Sequence, residues 1–186
     1  MRIALFIDGA AMFYAQRENG WFIDYRKVHQ YFSTNKQLCG CYYFTATPPA
    51  SNHQAVDNYR KFKRFLIHTG FHVIDKEVKV INDQRTGQIK LKGNLDIELV
   101  FRMLAGINGY DEAVIFGGDS DFLSVVAHLR NLGKVVSCIG RRAATSIELI
   151  NECDSFTDLS DIRKFIEREN NYREAENGSI LIPREF

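Results

Sequence analysis

Residues 113–131 read AVIFGGDSDFLSVVAHLRN and decide the predicted fold. The first four are apolar and predict a short buried strand, which Gly117 and Gly118 end. Asp119 follows directly, and the rest of the segment, from Asp121 on, has the apolar spacing of a helix. A buried strand, a glycine turn and a helix in succession indicate one unit of a parallel α/β sheet.

The same alternation of strands and helices extends in both directions along the chain. It predicts one α/β domain over residues 1–169, with a central, mainly parallel sheet, and a polar tail over residues 170–186. Residues 82–88 are expected to form a turn, and residues 89–91 either the return strand of a hairpin or an irregular loop. The predicted strands are 3–7, 39–46, 71–81, 113–116, 135–139 and 155–157, and the predicted helices are 10–17, 24–32, 54–68, 95–107, 121–131, 144–150 and 160–169.

Composition sets the broad class of the protein. Of 186 residues, 45% are hydrophobic and 25% are charged, which is typical of a globular domain. The formal net charge of +1 gives no global attraction for nucleic acid, so such binding would need a local basic face or a bound metal. No apolar run reaches the length of a membrane span, and the four cysteines lack zinc spacing. We therefore expect buried thiols and a cytoplasmic location.

Three aspartates follow predicted strands, where parallel α/β sheets bind their ligands. Asp8 comes directly after the first strand, while Asp119 and Asp121 follow the strand of residues 113–116. An aspartate that opens a helix is usually a cap, and that interpretation holds for each of them taken singly. The adjacent glycines favour a ligand site as well, because they let the backbone approach closely.

Asp96 lies in an unusual position for a carboxylate. Helical steps from it reach Leu99, Val100, Met103 and Ile107, so it shares the apolar face of its helix. Burying a carboxylate there is costly without compensation. If several carboxylates share one pocket, a divalent cation relieves their repulsion, and a set of oxygen ligands suits Mg²⁺ or Mn²⁺.

Three blocks of the sequence resemble the NYN domains, PIN-like proteins of the LabA type. The blocks are FIDGA, KGNLDIELV and VIFGGDSDFLSVVAHLRNLGKVV, and the similarity runs over about residues 2–165. The resemblance implies a PIN-like three-layer α/β/α sandwich and a ribonuclease site that uses Mg²⁺ or Mn²⁺. It also implies that Asp8 and Asp119 bind metal directly, with Asp96 and Asp121 completing the site directly or through water.

Two positions depart from the pattern of these domains. NYN proteins commonly carry asparagine three residues after the first aspartate, where this chain has Ala11. They often carry aspartate six residues after the middle one, where this chain has Arg102. A catalytically weak or inactive RNA-binding or regulatory module is therefore the alternative to a ribonuclease.

RNA is the expected partner, held through phosphate contacts near the acids. Arg141, Arg142 and Lys92 are predicted at the same sheet edge, and Ser120 lies between two of the aspartates, where it could bond phosphate, metal-bound water or its own turn. Candidates for stacking on unpaired bases are Tyr14, Trp21, Tyr42 and Tyr43. A homodimer and a protein partner for the tail stay open.

Two other function classes fit the sequence less well than a ribonuclease does. Phosphatases of the haloacid-dehalogenase type also open with an aspartate after the first strand, but they need a second aspartate at the position of Ala10. A Rossmann nucleotide site would need GxGxxG after the first strand, which this chain lacks.

Overall fold

The computed structural model describes residues 1–34, 36–77, 79–82, 89–92 and 94–169, with side chains for all of these except 79–82 and 89–92. The predicted tail, 170–186, and the docking role expected for it therefore lie outside the described residues. The strands are β1 (Arg2–Asp8), β2 (Gln37–Thr47), β3 (His72–Glu77), β4 (Lys79–Asn82), β5 (Ile89–Lys92), β6 (Glu112–Phe116), β7 (Val135–Gly140) and β8 (Ser155–Asp158). The helices are α1 (Gly9–Asn19), α2 (Tyr25–Ser33), α3 (His53–His68), α4 (Asp96–Ala105), α5 (Leu123–Asn131), α6 (Ile147–Glu152) and α7 (Arg163–Ile166).

Six strands form one sheet in the order β3-β2-β1-β6-β7-β8. Every neighbouring pair in it is parallel, which confirms the predicted sheet. The chain builds β1, β2 and β3 outward on one side and then returns to place β6 against β1. The boundary between β1 and β6 is thus the topological switch point, where open α/β sheets bind their ligands.

The sheet has a hydrophobic core on each face, as alternation along β1 shows. Ile3, Leu5 and Ile7 pack into one core with α1, α2, α3 and α7, while Ala4 and Phe6 pack into the other with α4, α5 and α6. Successive side chains of a strand point to opposite faces, so a strand that is apolar throughout needs helices on both sides. This confirms the three-layer α/β/α sandwich.

Two predicted elements differ from the structure. The strand expected over 71–81 ends at Glu77, and β4 instead pairs antiparallel with β5 as a separate hairpin. The final helix, expected over 160–169, is only the four residues of α7. It stops because Glu167 is extended and forms an antiparallel bridge with Ile23, while the Arg168 amide donates to the carbonyl of Phe22.

Two findings concern the predicted thiols and the question of a membrane span. All four cysteines are free thiols; Cys41, Cys138 and Cys153 are buried as expected, but Cys39 is exposed. Within the described part of the chain, no helix combines the length and apolarity needed to cross a bilayer.

Candidate metal centre

Asp8 ends β1 and begins α1, so it is both a cap and a site residue. Its Oδ1 accepts the amides of Ala10 at 2.9 Å and Ala11 at 3.1 Å. Gly9 lets the chain turn here, because a Cβ at that position would lie 2.5 Å from the carbonyl oxygen of Phe44. The expected capping role is therefore present, and it fixes the carboxylate at the carboxyl edge of the central strand.

A short 3-10 helix, Ser120–Phe122, links β6 to α5; Asp119 caps it and Asp121 lies on it. Asp119 Oδ1 accepts the amide of Asp121 at 2.9 Å and so holds the two residues in one turn. Gly118 allows the neighbouring loop to approach closely, because a Cβ on it would lie 2.7 Å from the Ala144 carbonyl oxygen. A Cβ on Gly117 would lie 3.5 Å from the Cβ of Asp8, which is an ordinary van der Waals contact.

Asp96 is the first residue of α4. Its amide donates to the side chain of Asn94 at 2.7 Å, which anchors the start of the helix. Leu99 and Met103 on the same helix are fully buried, so the apolar face inferred from the sequence is present. Because that face packs into the core, the half-buried Asp96 lies near Asp119, which follows β6.

The folded chain brings the acids together. One carboxylate oxygen from each of Asp96, Asp119 and Asp121 lies within 4.8 Å of the other two. Asp8 is outside that close trio but shares with Asp96 and Asp119 the wall of a cavity of about 300 Å³. The other lining residues are Ala10, Phe44, Thr45, Ala46, Asn94, Leu95 and Leu99.

The electrostatics of these carboxylates favour a cation. Burial raises the pKa of Asp8, the nearby charges of Asp96 and Asp119 raise it further, and the capping amides oppose the shift. Burial likewise raises the pKa of Asp96, and the charges of Asp119 and Asp121 add to it. A positive ion placed among the carboxylates would reverse both shifts.

The donor set fits a hard divalent ion. All the candidate ligands are carboxylate oxygens, which Mg²⁺ and Mn²⁺ accept. Oxygens on opposite sides of a Mg²⁺ ion are about 4.2 Å apart, since each lies about 2.1 Å from the metal. The three carboxylate oxygens of the trio all lie within 4.8 Å of one another, a separation comparable with that distance.

The two positions that depart from the NYN pattern do not contribute polar atoms to the cavity. The Arg102 guanidinium lies over the ring of Tyr42, 5.1 Å from its centroid, and Arg102 is absent from the cavity wall. The Ala11 methyl group packs against the core on the α1 side of the sheet. Only the backbone amide of Ala11 reaches Asp8.

The residues predicted to contact phosphate do not form a cluster as the acids do, and the two arginines contact other groups of the protein. Arg141 pairs with Glu18 at 2.6 Å. The Arg142 guanidinium lies 4.7 Å from the centroid of the Phe156 ring, and its amide donates to Asp158. Ser120 is exposed, and the side chain of Lys92 lies outside the described residues. RNA contacts by these four residues stay predictions.

The stacking candidates divide by exposure. Trp21 and Tyr43 are buried, so the expectation that they stack on RNA bases is wrong. Tyr42 is stacked against Phe6 and also against His72. Tyr14 is 63% exposed and remains available.

Sequence reasoning missed the contribution of β2 and the α4 cap to the cavity. Thr45 and Asn94 both line it. Asn94 carried a signal, since asparagine just before a helix is a favoured cap. Thr45 carried none, because its place depends on the parallel register that sets Phe44 beside Asp8.

Comparison with known proteins shows the family and the fold of the chain. The chain is 36% identical over 170 residues to the low amplitude and bright protein LabA of Synechococcus elongatus, covering 90% of this chain and 88% of that protein. A crystal structure of a protein of unknown function from Vibrio parahaemolyticus has the same fold, with a TM-score of 0.70 and 20% identity, over 89% of this chain and 95% of that one. The family model of the NYN domain matches residues 2–166, and the chain therefore belongs to the NYN domain family.

Proposed function

We propose that this protein is a divalent-metal-dependent ribonuclease that hydrolyses RNA phosphodiester bonds. The observation that carries the proposal is the meeting of Asp96, Asp119 and Asp121 within 4.8 Å, with Asp8 on the same cavity wall. NYN domains are typically nucleases, and this cluster occupies the switch point of the sheet, where α/β proteins bind ligands.

The four aspartates would hold Mg²⁺ or Mn²⁺. When bound, such an ion lowers the pKa of a water molecule and neutralises charge on the phosphate. Asp119 is held by the amide of Asp121, and Asp8 by the amides of Ala10 and Ala11, so both carboxylates are oriented before any ligand arrives. Such preorganisation reduces the rearrangement that catalysis requires.

RNA would reach the aspartates along the carboxyl edge of the sheet. Ser120 is exposed between two of the acids and can donate a hydrogen bond to a phosphate oxygen. Arg141 and Arg142 follow β7 at this edge, and we propose that they exchange part of their present contacts for phosphate. Lys92 is the fourth proposed phosphate contact.

Cleavage of labelled RNA with Mn²⁺ or Mg²⁺ tests the proposal. We expect Asp8→Asn and Asp119→Asn each to reduce cleavage at least about 100-fold, as loss of one preorganised catalytic group usually does. Asp57→Asn, at an exposed carboxylate on α3, is the matched control and should cleave like the wild type. Cleavage that survives both site substitutions would refute the proposal.

The second candidate function is a non-catalytic RNA-binding or regulatory module of the same family. It is favoured by Ala11 and Arg102, which replace polar and acidic residues common in NYN domains and add no polar side-chain atom to the cavity. This function predicts RNA association that does not depend on metal and is not followed by cleavage. Gel analysis of the RNA after the binding measurement separates the two functions.

We also propose that the protein forms a homodimer through α4. Ile97, Phe101 and Leu104 are 80%, 68% and 39% exposed and are spaced to form one apolar stripe. Two copies of one stripe can pair about a twofold axis. Light scattering should report a dimer that Phe101→Glu converts to a monomer, while Ile67→Glu on α3 does not. A monomeric wild type would contradict the dimer.

A cytoplasmic location and a protein partner for residues 170–186 complete the proposal. Four free thiols suit a reducing compartment. Fractionation of cells that express the protein tests the location, and pull-downs with and without the tail test the partner.

A further inference from the structure

A small aromatic surface lies on the outer face of α1. Phe13 and Tyr14 are 42% and 63% exposed, and their rings meet edge to face at a centroid distance of 5.5 Å. The Arg17 guanidinium lies over the Phe13 ring, 5.5 Å from its centroid. We call Phe13, Tyr14 and Arg17 the α1 platform.

The platform shares a face of α1 with one residue of the cavity wall. Ala10 lines the cavity, and the platform residues follow it at three, four and seven positions, which share one face of a helix. With a rise of about 1.5 Å per residue, the two rings lie about 5 Å, and Arg17 about 10 Å, farther along the axis. These distances are comparable with the steps between nucleotides of an unstacked strand.

Core packing does not account for the platform. The opposite face of α1 is buried through Met12 and Ala15, so the helix is already anchored without the two rings. The two rings contact each other, and Arg17 contacts the Phe13 ring. This arrangement leaves aromatic surface exposed to solvent beside a positive charge. Aromatic faces beside a cation are the features that bind bases and phosphates of single strands.

We propose that the α1 platform binds unpaired bases of the RNA next to the cleaved phosphate. Paired bases are stacked inside a duplex and cannot reach such rings, whereas unpaired bases can be splayed out onto them. Arg17 contacts the backbone of the strand at the far end of the platform. The inference deepens the proposed function and rests on it.

Binding of a labelled single-stranded oligonucleotide in EDTA measures the platform apart from cleavage. We expect the double variant Phe13→Ala/Tyr14→Ala to bind about tenfold more weakly, from the usual contribution of base stacking. The variant Phe13→Leu/Tyr14→Leu keeps apolar bulk but no rings, and it should lose the same affinity. The control Tyr31→Ala/Phe165→Ala removes exposed rings from α2 and α7 and should bind like the wild type.

An abasic oligonucleotide of the same length supplies the second measurement. Wild-type protein should bind it as weakly as the alanine variant does, and the variant should lose nothing further. Equal binding of the base-containing strand by wild type and variants would overturn the inference, and so would full affinity in the leucine variant.

Cleavage assays keep the two proposals separate. If the wild type cleaves and the platform variants cleave single strands at the same rate, the inference fails and the ribonuclease stands. If the wild type does not cleave although the platform variants lose affinity, the ribonuclease fails and an RNA-binding surface remains.

Discussion

At the scale of single residues, the aspartates combine a structural and a chemical role. Asp8 and Asp119 cap the turns that follow their strands, and the same hydrogen bonds aim their carboxylates at the cavity. Strand-end logic predicted both, and the apolar stripe of α4 predicted Asp96. The burial of Tyr43 and the contact of Arg102 with Tyr42 could not be predicted, because they depend on how neighbouring strands are aligned.

The substitution Asp8→Asn should stabilise the metal-free protein at neutral pH. Burial and neighbouring charge raise the pKa of Asp8 above its ordinary 3.8, so between these two pKa values the folded state holds a proton that the unfolded state has lost. Stability of the metal-free wild type therefore falls as pH rises from 3.8 through the raised pKa, and asparagine avoids this loss while keeping the cap. We expect a higher melting temperature for the variant than for the wild type in metal-free melts at pH 7.

The gain should vanish below pH 3.8, where Asp8 is protonated in both states. Asp57→Asn, on the exposed surface of α3, should show no such pH dependence and serves as the control. A lower melting temperature for Asp8→Asn at pH 7 would contradict the raised pKa of Asp8.

The substitution Arg102→Ala should leave Mn²⁺ affinity unchanged. The guanidinium lies on Tyr42 and not in the cavity, so its removal costs about 0.5–1 kcal/mol of folding stability through the lost ring contact. Calorimetric titration with Mn²⁺ measures the affinity. A marked rise in affinity would mean that the Arg102 charge repels the ion after all.

At the scale of elements, the loops that follow the strands position the site more than the strands themselves do. The turn after β6 passes so close to the loop after β7 that the Ser146 amide donates to the Gly118 carbonyl at 2.9 Å. Strands and long helices were predictable from apolar spacing. The shortness of α7 was not, because the bridge between Ile23 and Glu167 is a long-range contact that outweighs local helix preference.

The substitution Gly118→Ala should destabilise the fold and disturb the site together. Its Cβ would meet backbone atoms of Ala144 and Thr145 within 2.8 Å, which cannot move as a side chain tip would. We expect a loss of about 1–3 kcal/mol in denaturant unfolding, as is usual for overpacking. Gly109→Ala is the control, because a Cβ there meets nothing within 4 Å. Equal stability of the two variants would contradict the close approach.

At the scale of the whole molecule, the fold assembles its acids from distant parts of the chain. Asp8 comes from β1 and Asp119 from the far side of β6, and the pairing of these central strands brings them to one edge. Sequence logic could predict the parallel sheet and the layer on each face. It could not predict that β4 and β5 form a sheet of their own, because the alternation of apolar and polar residues does not determine which strands pair.

Divalent metal should raise the melting temperature of the whole domain. An ion that binds only the folded state adds about 2.7 kcal/mol when its concentration is 100 times its Kd, which corresponds to about 5–10 °C for a domain of this size. Thermal melts with Mn²⁺, Mg²⁺ and excess EDTA measure the effect. The variant Asp119→Asn should show a much smaller rise, and an unchanged melting temperature in the wild type would contradict the metal centre.

The order of the strands in the sheet has a consequence for how the chain can be cut. β1, β2 and β3 precede the separate hairpin, and β6, β7 and β8 follow it, so each side of the sheet is one continuous stretch of chain. A break between β4 and β5 would give two fragments that meet along β1 and β6, along β4 and β5, and where α2 packs against α7. Asp8 would belong to one fragment and the other three aspartates to its partner. Metal binding would then be a measure of whether the two fragments associate. The bound ion would stabilise that association, because its ligands come from both fragments.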